Sequence, residues 1–152
     1  MDNKWTYINT QEDIDQFMNM FGYFHDGCIK ELRYESGAYV GNDLAMYPIN
    51  SKRNVSVIFQ RQFKNPSAVE LVFEGVEHLN LQPVNDEYTT EILGAHMCIE
   101  DDLYVWFDSD YFSQDYTDLY KLSDVTWIKA HKVKWRAADE YLGGESIYIN
   151  RI

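Results

Sequence analysis

Five consecutive residues, Phe24-His25-Asp26-Gly27-Cys28, bring together an imidazole, a carboxylate, a thiol and a glycine. An imidazole beside a carboxylate is what a general base oriented by an acid requires. As a metal centre the pair would need further ligands beside it, as in the helical His-Asp centres that add a histidine upstream and an aspartate on a later helix. No histidine precedes His25, and the residues around it read as strand. Successive strand residues point to opposite faces, so His25 and Asp26 share a cleft only if the backbone turns between them. The spacing therefore predicts an Asp26-Gly27 turn, with His25 hydrogen-bonded to backbone at the junction. The enzymatic alternative is a hydrolase using His25 and Asp26 in a pocket where His25 meets another titratable group.

His25, Cys28, His96 and Cys98 match a tetrahedral zinc set in type but not in spacing. Two small buried thiols and two surface imidazoles are the plainer expectation, and no cofactor or metal is expected. Asp108-Ser109-Asp110 begins like a calcium loop but lacks its glycine. The same stretch interleaves acids with rings: Asp108, Asp110, Tyr111, Phe112, Asp115 and Tyr116. Carboxylates steer and rings anchor, so these six residues suit the grip on a basic protein, or else a solvated loop whose rings fold back on the sheet. Trp127, His131 and Trp135 fall on one face of a late strand by alternation, where packing is the expected role. Gln60-Arg61-Gln62 offers a polar strand end. No phosphate loop, nucleotide fingerprint, nucleophile elbow or zinc-protease helix occurs.

The elements that must position these groups follow from periodicity. Thr10 reads as an N-cap, with Asp13 completing a capping box, and Ile14, Phe17, Met18 and Phe21 recur at helical spacing until Gly22. Period-two alternation then predicts strands over 28–34, 55–60 and 69–74, with a turn at Asn65-Pro66-Ser67. Gly75 is expected to break the run before a separate strand around Leu79 and Leu81. A hairpin over 88–98 and 103–107, a long strand over 125–135 and an edge piece over 146–149 complete the set, with 38–53 irregular. Short turns between strands imply antiparallel pairing. The expected fold is α+β, mainly β: one domain over 1–152, an antiparallel sheet or sandwich of about eight strands with one N-terminal helix.

The 152 residues carry 25 acids against 13 bases, a net charge of −12. A chain this acidic lacks the cations that phosphate contacts need, so no nucleic-acid partner is expected; a basic protein partner is. Charge is also uneven, with eight acids and one base over 100–124, then Lys129, Lys132, Lys134 and Arg136. The beginning Met1-Asp2-Asn3-Lys4 has no apolar signal core, no run has membrane-spanning length, and two distant cysteines fit a reducing compartment. These features predict a cytoplasmic protein without a membrane partner.

Phe24-His25-Asp26 after a short helix, strand-rich sequence beyond it and the pair Trp135-Arg136 resemble small, acidic bacterial proteins of unassigned function, some grouped with the immunity proteins of polymorphic toxin systems. The resemblance implies a stoichiometric binder that neutralises or sequesters a basic protein, and it carries over no active-site residue. A small-ligand β-sandwich with an aromatic-lined cavity is a further alternative.

Overall fold

The computed structural model describes residues 4–109 and 125–149. Helix α1 (Gln11–Met20) starts where the capping box places it. Thr10 Oγ1 accepts the Asp13 N–H at 3.0 Å, and Asp13 Oδ2 accepts the Thr10 N–H at 3.2 Å. These bonds satisfy donors that a helix start leaves without partners. Ile14, Phe17 and Met18 bury the inner stripe.

Nine strands are present among the described residues: β1 (Thr6–Ile8), β2 (Gly27–Glu35), β3 (Tyr39–Val40), β4 (Met46–Tyr47), β5 (Asn54–Arg61), β6 (Ala68–Asn80), β7 (His96–Glu100), β8 (Leu103–Phe107) and β9 (Trp127–Ala137). Seven form one antiparallel sheet in the order β2-β5-β6-β9-β8-β7. β1 occupies the same edge of β9 as β8, but farther along, with Thr6 opposite Trp135 and Phe107 opposite Trp127. Strands β3 and β4 pair only with each other. The described residues are thus mainly β with one α-helix, as the alternation predicts.

Several expectations need correction. The strand expected over 88–98 begins only at His96, in β7, with 88–95 a connection, and the stretch 38–53 holds the paired β3 and β4. β6 does not end at Gly75: the strand passes through it in a left-handed conformation (φ 63°), and the register shifts between Val76 and His78. Gly75 lies against the His131 ring, where a Cβ would sit 3.2 Å from Cδ2. Opposite this point the alternation of β9 slips as well. Ile128 and Ala130 join the helix-side core, but so do Val133 and, partly buried, Trp135. Trp127 instead joins Cys98, Val105 and Phe107 on the other side and stacks on His78 at 4.2 Å. Trp127 and Trp135 therefore occupy opposite faces, not one. Residues 146–149 form no strand; the Ile147 N–H donates to the Glu31 carboxylate at 2.9 Å.

The core lies between α1 and the sheet, where Phe17, Phe21, Phe24, Phe59, Phe73 and Trp106 are all buried. The sheet's other face is covered near β6 and β9 by the segment 138–149. There Arg136 and Glu70 form a buried ion pair at 2.9 Å, which Glu140 and Tyr148 extend. No helix among the described residues is long and apolar enough to cross a membrane.

Candidate functional site

The pentad is built on an unusual backbone. Gly22, Tyr23, Phe24 and Asp26 all have φ between 54° and 62°. Side chains rarely adopt this left-handed region, and here tertiary hydrogen bonds fix it. Asp26 N–H donates to Ile92 O, Ile92 N–H to Gly27 O, Ala95 N–H to Tyr23 O and Gln62 N–H to Asp26 O, all between 2.7 and 3.2 Å. The turn thereby clips the long connection 81–95 and the end of β5 onto the sheet. Phe24 anchors it in the core.

The chain does turn between His25 and Asp26, and their side chains meet. His25 Nδ1 lies 2.7 Å from Leu93 O, and Nε2 lies 3.5 Å from Asp26 Oδ2. Nδ1 is thus taken up by a backbone carbonyl, while Nε2 has only the neighbouring Asp26 carboxylate at ionic distance. A cleft of about 480 Å³ opens beside the turn, lined by Asp26, Cys28, Arg61, Gln62 and Glu91 among others, but His25 does not line it. Nor is Arg61 free to act there. Its guanidinium lies 4.4 Å from the Phe21 ring centroid and donates to the carbonyls of Pro66 and Lys64. Gln60 is likewise spent on the carbonyls of Tyr141 and Gly143. The turn is a clasp.

The hydrogen bond to Leu93 is the main cause that raises the His25 pKa above its ordinary 6.5, with the Asp26 charge second. A raised folded pKa adds stability that is complete below pH 6.5 and disappears as pH climbs through the folded value. Amide protection of Ile92 and Ala95, corrected for intrinsic exchange, should therefore be greater on the acid side of that window. In His25→Gln it should stay flat. Equal profiles for the two proteins would show that the imidazole does not hold the connection.

The zinc set is not assembled. Among the described residues no group of three or more His, Cys, Asp or Glu side chains could hold a metal ion. Cys98 packs with Val105, Phe107 and Trp127, while the His96 ring contacts those of Tyr23 and Phe107. Of the six acidic-aromatic residues, Asp108 follows β8, its N–H donating to Thr126 O at 2.9 Å. Asp110, Tyr111, Phe112, Asp115 and Tyr116 lie outside the described residues. The basic strand is less basic than its sequence implies, because Lys134 pairs with Glu74 and Arg136 with Glu70.

The feature missed by alternation is the β3–β4 hairpin. Tyr39, Val40, Leu44, Met46, Tyr47 and Ile49 are between 47% and 83% exposed. Asp43 is the one charged residue from Gly37 to Ser51. The hairpin is ordered by its own contacts. The Tyr39 and Tyr47 rings stack at 4.7 Å and 13°, Gly41 N–H donates to Ala45 O, Leu44 N–H donates to Gly41 O, and Asp43 Oδ1 accepts the Ala45 N–H. Such a run of exposed apolar side chains marks an interaction surface when nothing among the described residues covers it. The signal available in sequence was the pair Tyr39 and Tyr47 flanking Gly41-Asn42-Asp43, a turn sequence between two short apolar runs.

Comparison with protein-family descriptions, curated proteins and solved structures gives no match to this chain.

Proposed function

We propose that this chain is a cytoplasmic, stoichiometric protein-binding protein that neutralises or sequesters a basic protein, as its resemblance to immunity proteins implies. The observation that carries the reading is the exposed, near-uncharged hairpin 39–47 on a chain of net charge −12. The two features divide the work of association. Long-range charge raises the encounter rate with a cationic surface and weakens with salt. Desolvated aromatic and aliphatic side chains then hold the complex, chiefly through its dissociation rate. The pentad supports this reading by its geometry: an imidazole held to a backbone carbonyl through Nδ1 and lying outside the neighbouring cleft suits a structural clasp better than a catalytic base.

The test is purification of the intact chain from its source cell at low and high salt, read by native mass spectrometry. A single basic protein retained at equal stoichiometry at low salt, and associating more slowly at high salt, is the expected result. A chain recovered alone, or with nucleic acid, would overturn the reading.

A further inference from the structure

We propose that Leu44 is the anchor by which this chain enters its partner, inserting into an apolar pocket on a protein whose surrounding surface is basic. The inference rests on the binder reading above and deepens it. Leu44 combines two unfavourable properties in the isolated chain. Its backbone is left-handed, with φ 67°, and its residue surface is 83% exposed. Glycine or asparagine adopts that conformation more readily, and the last position of such a turn ordinarily favours glycine.

Nothing in the turn calls for leucine. The bonds that close it come from backbone groups and from Asp43 Oδ1. An aliphatic side chain in a strained, solvated position thus contributes little to the fold, in contrast to Tyr23, Phe24 and Asp26, whose left-handed backbone is tied down by tertiary hydrogen bonds. The setting is also pre-organised. The stacked Tyr39 and Tyr47 rings fix the stem, and Gly41 brings the chain so close that a Cβ there would lie 2.8 Å from Asp43 Oδ1. A rigid projection loses less freedom on binding than a mobile one.

Charge selects the occupant. Asp43, beside Leu44, places a carboxylate at the rim of whatever pocket receives the leucine, which fits a cation there. A second copy of this chain brings a further −12 and is repelled. An anionic lipid surface repels the chain for the same reason, and the cations that flank the hairpin stem, Lys52 and Arg53, are paired with Glu35 and Glu77.

The experiment places a photo-reactive phenylalanine analogue, one position at a time, at Tyr47 in the hairpin and at Tyr88 and Leu142 outside it, in the full chain in its source cell. Leu44→Asn and Leu44→Gly are added to the Tyr47 probe. The expected result is one adduct of discrete mass with a basic protein from Tyr47, reduced at least about ten-fold by either substitution, equivalent to about 1.4 kcal/mol of binding. Either substitution should leave the thermal midpoint of the isolated chain unchanged or raise it by about 2–4 °C. A midpoint lowered by both substitutions would make Leu44 structural and overturn the proposal. So would an adduct indifferent to Leu44, or one formed with lipid or with a second copy. Adducts only from Tyr88 or Leu142 would remove the anchor but leave the binder reading standing. No adduct from any position would remove both.

Discussion

Replacing Arg136 by methionine is expected to destabilise the protein by about 3–5 kcal/mol, because it strands the Glu70 carboxylate in the interior. The two side chains are 5% and 2% exposed. Arg136 Nε and a terminal nitrogen reach Glu70 Oε1 at 3.0 and 2.9 Å, its other terminal nitrogen reaches Glu140 Oε1 at 2.8 Å, and Tyr148 donates to Glu70 Oε2 at 2.7 Å. Burial pulls the guanidinium pKa down, but the hydrogen bond to Glu140, the Glu70 charge and the hydrogen bonds to Glu70 and Tyr141 together outweigh it, and the net direction is up. Arg136 thus stays charged, and so must its partner be matched. Methionine fills the space of the arginine stem without supplying the charge. Against a usual stability of about 5–15 kcal/mol the loss is large. The double variant Glu70→Leu with Arg136→Met should recover most of it, since a buried pair replaced whole by apolar side chains is often neutral. Urea midpoints with an unchanged slope would report both effects. A single substitution costing less than about 1 kcal/mol would mean that water reaches the pair and screens it.

The second large effect is at Phe24. Its ring is fully buried and meets those of Phe59 at 4.7 Å, Phe21 at 4.9 Å, Trp106 at 5.6 Å and Phe17 at 5.9 Å. Phe24→Ala should therefore cost about 3–5 kcal/mol, the sum of lost transfer energy and an incompletely collapsed cavity. The backbone reverses the usual ranking of small substitutions here. With φ at 62°, alanine keeps the left-handed strain that glycine relieves. Phe24→Gly should then be less destabilised than Phe24→Ala by about 1 kcal/mol, although it removes more side chain. Thermal or denaturant unfolding of the two variants decides it, and an alanine variant the more stable of the pair would contradict the assignment.

What could be read in the residues depended on whether their partners were local. The helix was legible because Thr10 and Asp13 satisfy each other three residues apart and the apolar stripe follows at once. The antiparallel sheet was legible because alternation and short turns are properties of neighbouring residues. β1 escaped because three residues carry no period, and its pairing with β9 spans most of the chain. Glu70 sits between Val69 and Leu71 and reads as solvent-facing, yet it is buried because a segment some seventy residues later covers that face. The pentad's chemistry was legible as a list of groups. Its left-handed backbone was not, since Tyr23 and Phe24 give no sign of a conformation that glycine would normally mark. The hairpin was opaque for the reverse reason: its apolar residues suggest burial, and only the fold leaves them outside.

The central position of β9 has a consequence for how the protein comes into being during synthesis. Of the described strands it is the last to leave the ribosome, yet β6, β8 and β1 all pair with it. Before it emerges, β2, β5 and β6 can form a three-stranded sheet on their own, since each pairs with its neighbour in the sequence of the sheet. The hairpin β7–β8 can form too. What the nascent chain then presents is two separate pieces with a vacancy between them. β6 meanwhile exposes an unpaired edge of thirteen residues, the kind of template that recruits strands from other chains. Insertion of β9 closes that edge, joins the two pieces and creates the slot that β1 must find from the opposite end of the chain. Assembly therefore finishes in one late, long-range step, the kind that topology makes slow. The interval before it is when this chain is most exposed to misassociation.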